Sequence, residues 1–296
     1  MNFGFRGERE AKNDSKTQND SSDVSRLQRT MEDQQKEKYR RITLDLVLRS
    51  TSLTRSSKES NDQYLQRVTH LHLQGKRLRR IEGLDQCTHL KVLYLYDNCI
   101  EEIENLDFAS IVQYLLLQNN RIKTIPLLPM PSLTKLYLDE NEISMVSGLE
   151  ECTKLEELHV AKQRLPAFSP LEFDISSLEA IGRTLQVLEV SGNGIQRLRP
   201  FQILVNLRKL FAADNQVTDL SEIEAIVALD FLAEAVFLNN PCAHDRKYRD
   251  YAIGASSDSL KMLDGLPIQR HQQVAIRGLM DHRRKCGFAA PLQNAD

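Results

Sequence analysis

The chain lacks the features that would suggest secretion or a membrane span. Its 296 residues include five cysteines, an odd number spread from Cys87 to Cys286, whereas extracellular proteins usually pair their cysteines in disulfides. No apolar run is long enough to cross a bilayer, and the first residues have no apolar core of the length that a secretory signal needs. We therefore expect a soluble, intracellular protein with reduced thiols and no membrane partner.

The sequence also has little net charge and no recognisable catalytic motif. Lys and Arg number 39 against 41 Asp and Glu, which gives a formal net charge of −2. Nucleic-acid binders usually carry a basic patch or stripe, so this balance predicts no nucleic-acid partner. The motifs GxSxG and HExxH and a phosphate-binding loop are absent, and no nucleophile can be grouped with a base and an orienting acid. The sequence therefore does not predict an enzyme.

Two short motifs have the residue types of ligand sites without the full pattern. His70 and His72 share one face of a predicted strand, but no third ligand stands at a suitable spacing. Gly192 and Gly194 form a GxG that lies in a turn beside Asn193, not between a strand and a dinucleotide-binding helix. We predict no metal and no cofactor.

What the sequence does contain is a phrase, LxxLxLxxNxL, that occurs eight times. It is clearest at residues 90–100 (LKVLYLYDNCI) and 133–143 (LTKLYLDENEI), and most copies are 21 or 22 residues apart, the period of a leucine-rich repeat. One repeat cannot bury its own leucines, so neighbours stack and their short strands pair in parallel. We predict an α/β solenoid, a leucine-rich repeat horseshoe of about eight 22-residue repeats with a parallel concave sheet. The copies begin at Val68, Leu90, Val112, Leu133, Leu155, Leu185, Leu207 and Leu232.

An asparagine recurs at the ninth position of the phrase. Its amide both donates and accepts hydrogen bonds, so it can satisfy backbone groups in the turn that leaves each strand, which would otherwise be buried without partners. Lys76 takes this position in the first repeat and Gln163 in the fifth. The predicted structural ladder consists of Asn98, Asn120, Asn141, Asn193, Asn215 and Asn240.

Composition divides the rest of the chain. Residues 1–38 are polar and typical of disorder, and 39–67 predict a helical N-terminal cap ahead of repeats over 68–242. Residues 243–286 predict a C-terminal cap and helix, followed by a tail at 287–296. The long step between the fifth and sixth repeats predicts an inserted helix with a capping box at Ser176 and Glu179. A second helix is predicted at 222–235, ahead of the last phrase.

The predicted C-terminal helix ends in three cations, Arg283, Arg284 and Lys285. Cations at this position suit the negative end of the helix dipole. They either contact an acidic partner such as a tubulin tail or simply form a solvated helix end.

Strand alternation places the third, fifth and seventh residues of each phrase on the concave face. Aromatic side chains rimmed by charge are typical of protein interfaces, so this face is the predicted partner-binding site. The alternative is that the aromatic rings only shield the sheet. The predicted binding residues are Tyr94, Tyr96, Tyr114, Leu116, Tyr137, Asp139, Glu157, His159, Glu189, Phe211 and Glu234.

Six segments together resemble one family of regulatory proteins. LYLYDNCI, LYLDENEI, ELHVAKQRLP, FDISSLEAIGRTL, NPCAHDRKYRD and LDG resemble the leucine-rich repeat regulatory subunits of protein phosphatase 1, over about residues 39 to 286. The resemblance implies a non-catalytic subunit that binds the phosphatase catalytic subunit through its concave face. It also implies that the subunit modulates or targets the phosphatase at centrosomes, basal bodies and microtubules.

One family feature is missing from the sequence. The short docking motif of many phosphatase partners, a basic residue followed by valine, any residue and phenylalanine, is absent, and residues 67–70 come closest to it. Binding would then use the folded surface. The alternative function is a cytoskeletal or ciliary scaffold that docks tubulin or a microtubule motor without the phosphatase.

Overall fold

Each repeat contributes a three-residue strand to one ten-stranded sheet. The computed structural model describes residues 39–285, and its described residues from Arg41 onward belong to one compact unit. The sheet is parallel except at its last pair, β11 and β12. In sheet order the strands are β1 (His70–His72), β2 (Val92–Tyr94), β3 (Tyr114–Leu116), β4 (Lys135–Tyr137), β6 (Glu157–His159), β8 (Val187–Glu189), β9 (Lys209–Phe211), β10 (Glu234–Val236), β11 (Met262–Leu263) and β12 (Leu266–Pro267).

The register of the sheet aligns equivalent positions of the phrase. Leu71 pairs with Leu93, Leu93 with Leu115 and Leu115 with Leu136, all at the fourth position. These leucines are fully buried, as are those at the sixth position such as Leu95. Stacked repeats thus form the continuous apolar column that stabilises a solenoid. The predicted leucine-rich repeat fold class is confirmed.

Two short helices cover the first strand. Helix α1 (Leu44–Arg49) and helix α2 (Asn61–Gln66) pack here, and Ser60 and Gln63 form a capping box at the start of α2. The edge of β1 does not stay open, because the His72 N–H donates to the Ser50 carbonyl at 2.8 Å. An unpaired strand edge invites aggregation, so this contact protects the end of the sheet.

The predicted insertion contains helix α3 (Ile175–Ile181), but its cap differs from the prediction. The prediction of a capping box at Ser176 and Glu179 is wrong. Asp174 is the N-cap residue, and its carboxylate accepts from the Ser177 N–H at 3.1 Å. Ser176 lies in the first turn and donates to the same carboxylate at 2.6 Å. A small two-stranded parallel sheet, β5 (Met145–Val146) with β7 (Glu172–Phe173), leads into this helix.

The second predicted helix is shorter than the sequence suggested. Helix α4 (Leu220–Val227) ends well before residue 235, because Glu234 already pairs with Lys209 in the sheet. The strand pairing overrides the local helical pattern after Val227. A 3₁₀ helix at Arg199–Ile203, which was not predicted, occupies the corresponding side of the previous repeat.

A further parallel strand lies in the segment predicted as the C-terminal cap. Strand β11 pairs with β10, and Asp264 then accepts the Phe237 N–H at 2.7 Å and the Tyr248 hydroxyl at 2.8 Å. A 3₁₀ turn at Pro241–His244, helix α5 (Tyr248–Ala255) and helix α6 (Arg270–Lys285) complete this end.

Some predictions fall on residues that the structure does not describe. The predicted tails at 1–38 and 287–296, and Cys286, lie outside the described residues. Helix α6 includes positions 283–285, but their side chains are not among those described.

Candidate functional site

The third, fifth and seventh positions of the phrase form one exposed surface of the sheet, here named the display face. The hydrogen-bonded register places the fifth positions in a single row across neighbouring strands, which lie about 5 Å apart. In order, that row reads His72, Tyr94, Leu116, Tyr137, His159, Glu189, Phe211 and Val236. All of these side chains are partly accessible to solvent.

The tyrosines of this row pack against histidines. Tyr94 stacks on His72 with ring centroids 4.5 Å apart and an interplanar angle of 10°. Tyr137 packs against His159 at 4.3 Å with a 45° tilt. Leu116 separates the two ring pairs in the row. The fifth-position row therefore contains two tyrosine–histidine pairs with one aliphatic side chain between them.

A hydrogen-bonded cluster stands beside the second ring pair. The Lys135 ammonium lies 2.8 Å from one Glu157 carboxylate oxygen, and the Tyr137 hydroxyl donates to the other at 2.7 Å. The same ammonium sits 5.4 Å from the centroid of the Tyr114 ring, within cation–π range. Three neighbouring strands thus hold their side chains in one fixed arrangement before any partner binds.

The cluster shifts the protonation equilibria of its members. The hydrogen bond to Glu157 raises the pKa of Lys135. Burial alone would raise the pKa of Glu157, but hydrogen bonds from Lys135 and Tyr137 outweigh it and lower that pKa. Burial also raises the pKa of Tyr137 and lowers that of His159. The lysine and the glutamate are therefore charged at neutral pH while the tyrosine hydroxyl keeps its proton.

Two further carboxylates of the display face have no cationic partner among the described residues. Asp139 accepts from the Ala161 N–H at 2.7 Å, and Glu189 accepts from the Ser191 N–H at 2.8 Å. Burial, together with the charge of Glu189, raises the pKa of Asp139 to about 6. These two acids leave the centre of the face negative.

The remaining predicted binding residues lie at the margins of these clusters. Tyr96 is half-buried at the seventh position, and Phe211 follows Glu189 in the fifth-position row. Glu234 pairs with Lys209 at 3.1 Å. The structure therefore brings the predicted residues onto one face, where the tyrosines lie toward the first repeats and Phe211 and Glu234 lie toward the last.

The asparagines lie beneath this face and hold its turns. The Asn120 amide donates to the carbonyls of Leu95 and Leu117 at 3.0 and 2.9 Å, and its oxygen accepts from the Ile100 N–H at 2.9 Å. Asn98, Asn141, Asn193, Asn215 and Asn240 make the corresponding bonds and are buried. Gln163 makes the same set with its longer side chain.

The eighth position of the phrase has a structural role that was not predicted from the sequence. Backbone φ is positive there in every repeat, for example 57° at Asp97 and 52° at Asn119. The Asn119 amide donates to the Asp97 carboxylate of the preceding repeat at 2.8 Å, and Asn239 does the same to Asp214 at 2.7 Å. Asp, Asn and Gly tolerate this conformation best. Their recurrence beside the asparagine slot was the available signal.

In the described part of the chain, metal-ligand side chains do not cluster and the buried thiols of Cys87 and Cys152 are not activated. Residues 39–285 contain no group of three His, Cys, Asp or Glu side chains placed to hold a metal. Burial raises the pKa of the Cys87 thiol to about 11 and that of Cys152 to about 12, which disfavours a nucleophilic thiolate. Within the same residues, no helix is long and apolar enough to span a membrane.

Comparison with known proteins agrees with this fold. A family model of two leucine-rich repeat copies matches residues 66–107 and 112–151. Internalin C2 of Listeria monocytogenes has a similar solved structure, with a TM-score of 0.58, 21% identity, and coverage of 74% of this chain and 90% of that one. The internalin InlF of the same bacterium gives a TM-score of 0.52 at 23% identity, over 70% of this chain and 64% of InlF.

These findings define the class. The chain has a leucine-rich repeat fold, and arrays of such repeats typically present an extended surface for binding. The identities to the two internalins are low, so that likeness concerns the fold alone. This chain spans about 64% of the length of InlF.

Proposed function

We propose that this protein binds the catalytic subunit of protein phosphatase 1 through its display face and modulates or targets that enzyme. The proposal rests on the resemblance of its repeat and cap segments to the leucine-rich repeat regulatory subunits of that phosphatase, among them protein phosphatase 1 regulatory subunit 42, the testis leucine-rich repeat protein. By the same resemblance we propose that it acts at centrosomes, basal bodies and microtubules.

The observation that carries a binding role is the preorganised cluster on the display face. Tyr137 is held by His159 at 4.3 Å and by Glu157 at 2.7 Å, so its ring does not have to lose rotamer freedom when a partner arrives. Preorganised aromatic side chains are typical binding hot spots. The neighbouring acids, Asp139 and Glu189, supply charge that selects a partner with basic groups at the contact.

The test is capture of purified phosphatase catalytic subunit by the immobilised full chain. We expect the double variant Tyr94→Ala with Tyr137→Ala to lower capture at least tenfold, because it removes one ring from each tyrosine–histidine pair. A matched double variant, Phe168→Ala with Leu127→Ala, removes two exposed apolar side chains outside the sheet and should bind normally. Circular dichroism should show that both variants are folded.

Two results would count against the proposal. Unchanged capture by the folded tyrosine variant would exclude the display face as the binding surface. Capture of tubulin but not of the phosphatase, measured in the same assay, would favour the cytoskeletal scaffold. If the phosphatase binds, a dephosphorylation assay on a defined substrate with added protein shows whether the enzyme is inhibited or redirected.

A further inference from the structure

A basic groove lies outside the display face, at the edge where the strands begin. It has a volume of about 500 Å³ and is lined by residues that precede β4, β6, β8, β9 and β10. Lys154, Arg183 and Arg208 line it, with Glu156 as its one carboxylate. Phe231, 55% exposed, stands at one end. The groove therefore combines a surplus of positive charge with an uncovered aromatic ring.

Several cations elsewhere on the repeats are held in ion pairs. Arg79 pairs with Glu101 at 2.9 Å and Arg199 with Glu222 at 3.1 Å, in each case with a glutamate about one repeat further along the chain. Among the described residues, Lys154, Arg183 and Arg208 have no acidic partner within 4.0 Å. Their charge is therefore available to a ligand from outside the chain.

The backbone carbonyl groups at this edge already accept hydrogen bonds. The Thr134 carbonyl accepts from the N–H groups of both Glu156 and Glu157, at 2.9 and 3.0 Å. The Gln186 carbonyl accepts in the same way from Arg208 and Lys209, at 2.8 and 2.9 Å. A ligand cannot add a strand here, so recognition must come from side chains.

We propose that this groove binds an extended acidic peptide segment of a partner protein. The three cations come from three successive repeats, whose strands lie about 5 Å apart, so they match carboxylates spread along a chain better than one compact anion. Phe231 offers a contact for an apolar side chain at the end of that segment. This surface is separate from the display face, and its ligand need not be the phosphatase.

Fluorescence anisotropy of labelled peptides with the full chain tests this assignment. The probes are an octaglutamate and the same peptide with one central leucine. We expect both to bind, more weakly as salt increases, with Arg183→Glu plus Arg208→Glu weakening both at least tenfold. Phe231→Ala should weaken only the leucine peptide, by about threefold to tenfold. If charge reversal unfolds the protein, Arg183→Gln plus Arg208→Gln replaces it and should weaken both peptides at least threefold.

A matched control separates the groove from the overall charge of the protein. Arg197→Glu with Arg246→Glu reverses two exposed cations outside the groove and should leave both affinities within twofold of wild type. An equal loss in this control would overturn the proposal, as would absence of peptide binding at low salt. A ten-nucleotide oligothymidine that binds more tightly than either peptide, and is lost in the groove variant, would assign the site to nucleic acid instead.

Discussion

At the residue scale, one amide side chain in each repeat after the first satisfies the backbone hydrogen bonds of the turn that follows the strand. Asn120 is 1% exposed and bonds backbone groups of its own repeat and of the preceding one. A hydrophobic residue of similar size fills the same space but leaves those groups without partners. Gln163 shows that the slot requires an amide rather than asparagine as such.

We expect Asn120→Leu to lower the free energy of unfolding by about 3 kcal/mol or more, because each buried polar group left without a partner costs about 1–3 kcal/mol. Thermal unfolding followed by circular dichroism measures the loss. Gln113→Leu, at an exposed position of the same repeat, is the control and should change stability little. An unchanged melting temperature for Asn120→Leu would mean that the amide contributes nothing.

Asp139 is the residue whose charge the fold disfavours most clearly. Its pKa rises from 3.8 to about 6 because it is buried and faces Glu189. The folded state therefore holds this proton more tightly than the unfolded state does. Stability should fall as pH rises through the window from about 4 to 6, and the full penalty should remain above it.

Replacing Asp139 by asparagine should remove that penalty, since the amide oxygen can still accept the Ala161 N–H. We expect Asp139→Asn to be more stable than wild type at pH 7 by on the order of 1–3 kcal/mol, with the difference vanishing below about pH 4. Urea unfolding at both pH values measures it, with the exposed Asp107→Asn as control. A stability difference that does not change with pH would contradict this account of Asp139.

At the element scale, the inserted helix α3 shows how a cap can be misassigned from sequence. DISSLE contains two overlapping candidates, Asp174 and Ser176, each followed three residues later by a residue that can complete a local hydrogen bond. The strand β7 ends at Phe173 and fixes the chain in an extended conformation at Asp174. The helix therefore begins one residue after Asp174, and Ser176 becomes part of its first turn.

The two candidate caps can be separated by mutation. Asp174→Ala removes the acceptor of the Ser177 N–H and should lower the melting temperature by roughly 2–4 °C. Ser176→Ala keeps that backbone bond and should have the smaller effect. A larger loss with Ser176→Ala would restore the capping box that the sequence suggested.

At the scale of the whole molecule, both ends of the apolar column need closure. Strand β11 supplies it at the C-terminal end, where Leu263 is fully buried and pairs in register with Ala235. Leu266, across the β11–β12 hairpin, is 57% exposed. One strand of the hairpin thus seals the core while the other faces solvent.

Leu263→Asp should lower the free energy of unfolding by roughly 3–5 kcal/mol, because it buries an unpaired charge at the end of the column. Leu266→Asp introduces the same charge on the exposed strand and should change stability by less than about 1 kcal/mol. Chemical denaturation of both variants measures the contrast. Equal effects would show that β11 does not close the core.

Much of the fold, but less of the site, followed from local patterns. Repeat spacing predicted strands at the positions where they occur, since alternation and period depend only on the order of residues along the chain. The pairing of Tyr137 with His159 and Glu157 did not follow, because it joins residues 20 to 22 positions apart. Those contacts exist only once neighbouring strands are in register.

The sequence by itself determined that this protein is a solenoid, because the leucines and the amide slot can be buried only when repeats stack. It also determined which side chains share the display face, since strand alternation depends on nothing else. The tertiary structure alone decided that Tyr94 and Tyr137 pair with histidines and that Lys154, Arg183 and Arg208 line one groove. It also decided that, within residues 39–285, no cation pairs with Asp139 or Glu189. Each of these features depends on the distances between side chains of successive repeats, and the sequence of one repeat does not specify those distances.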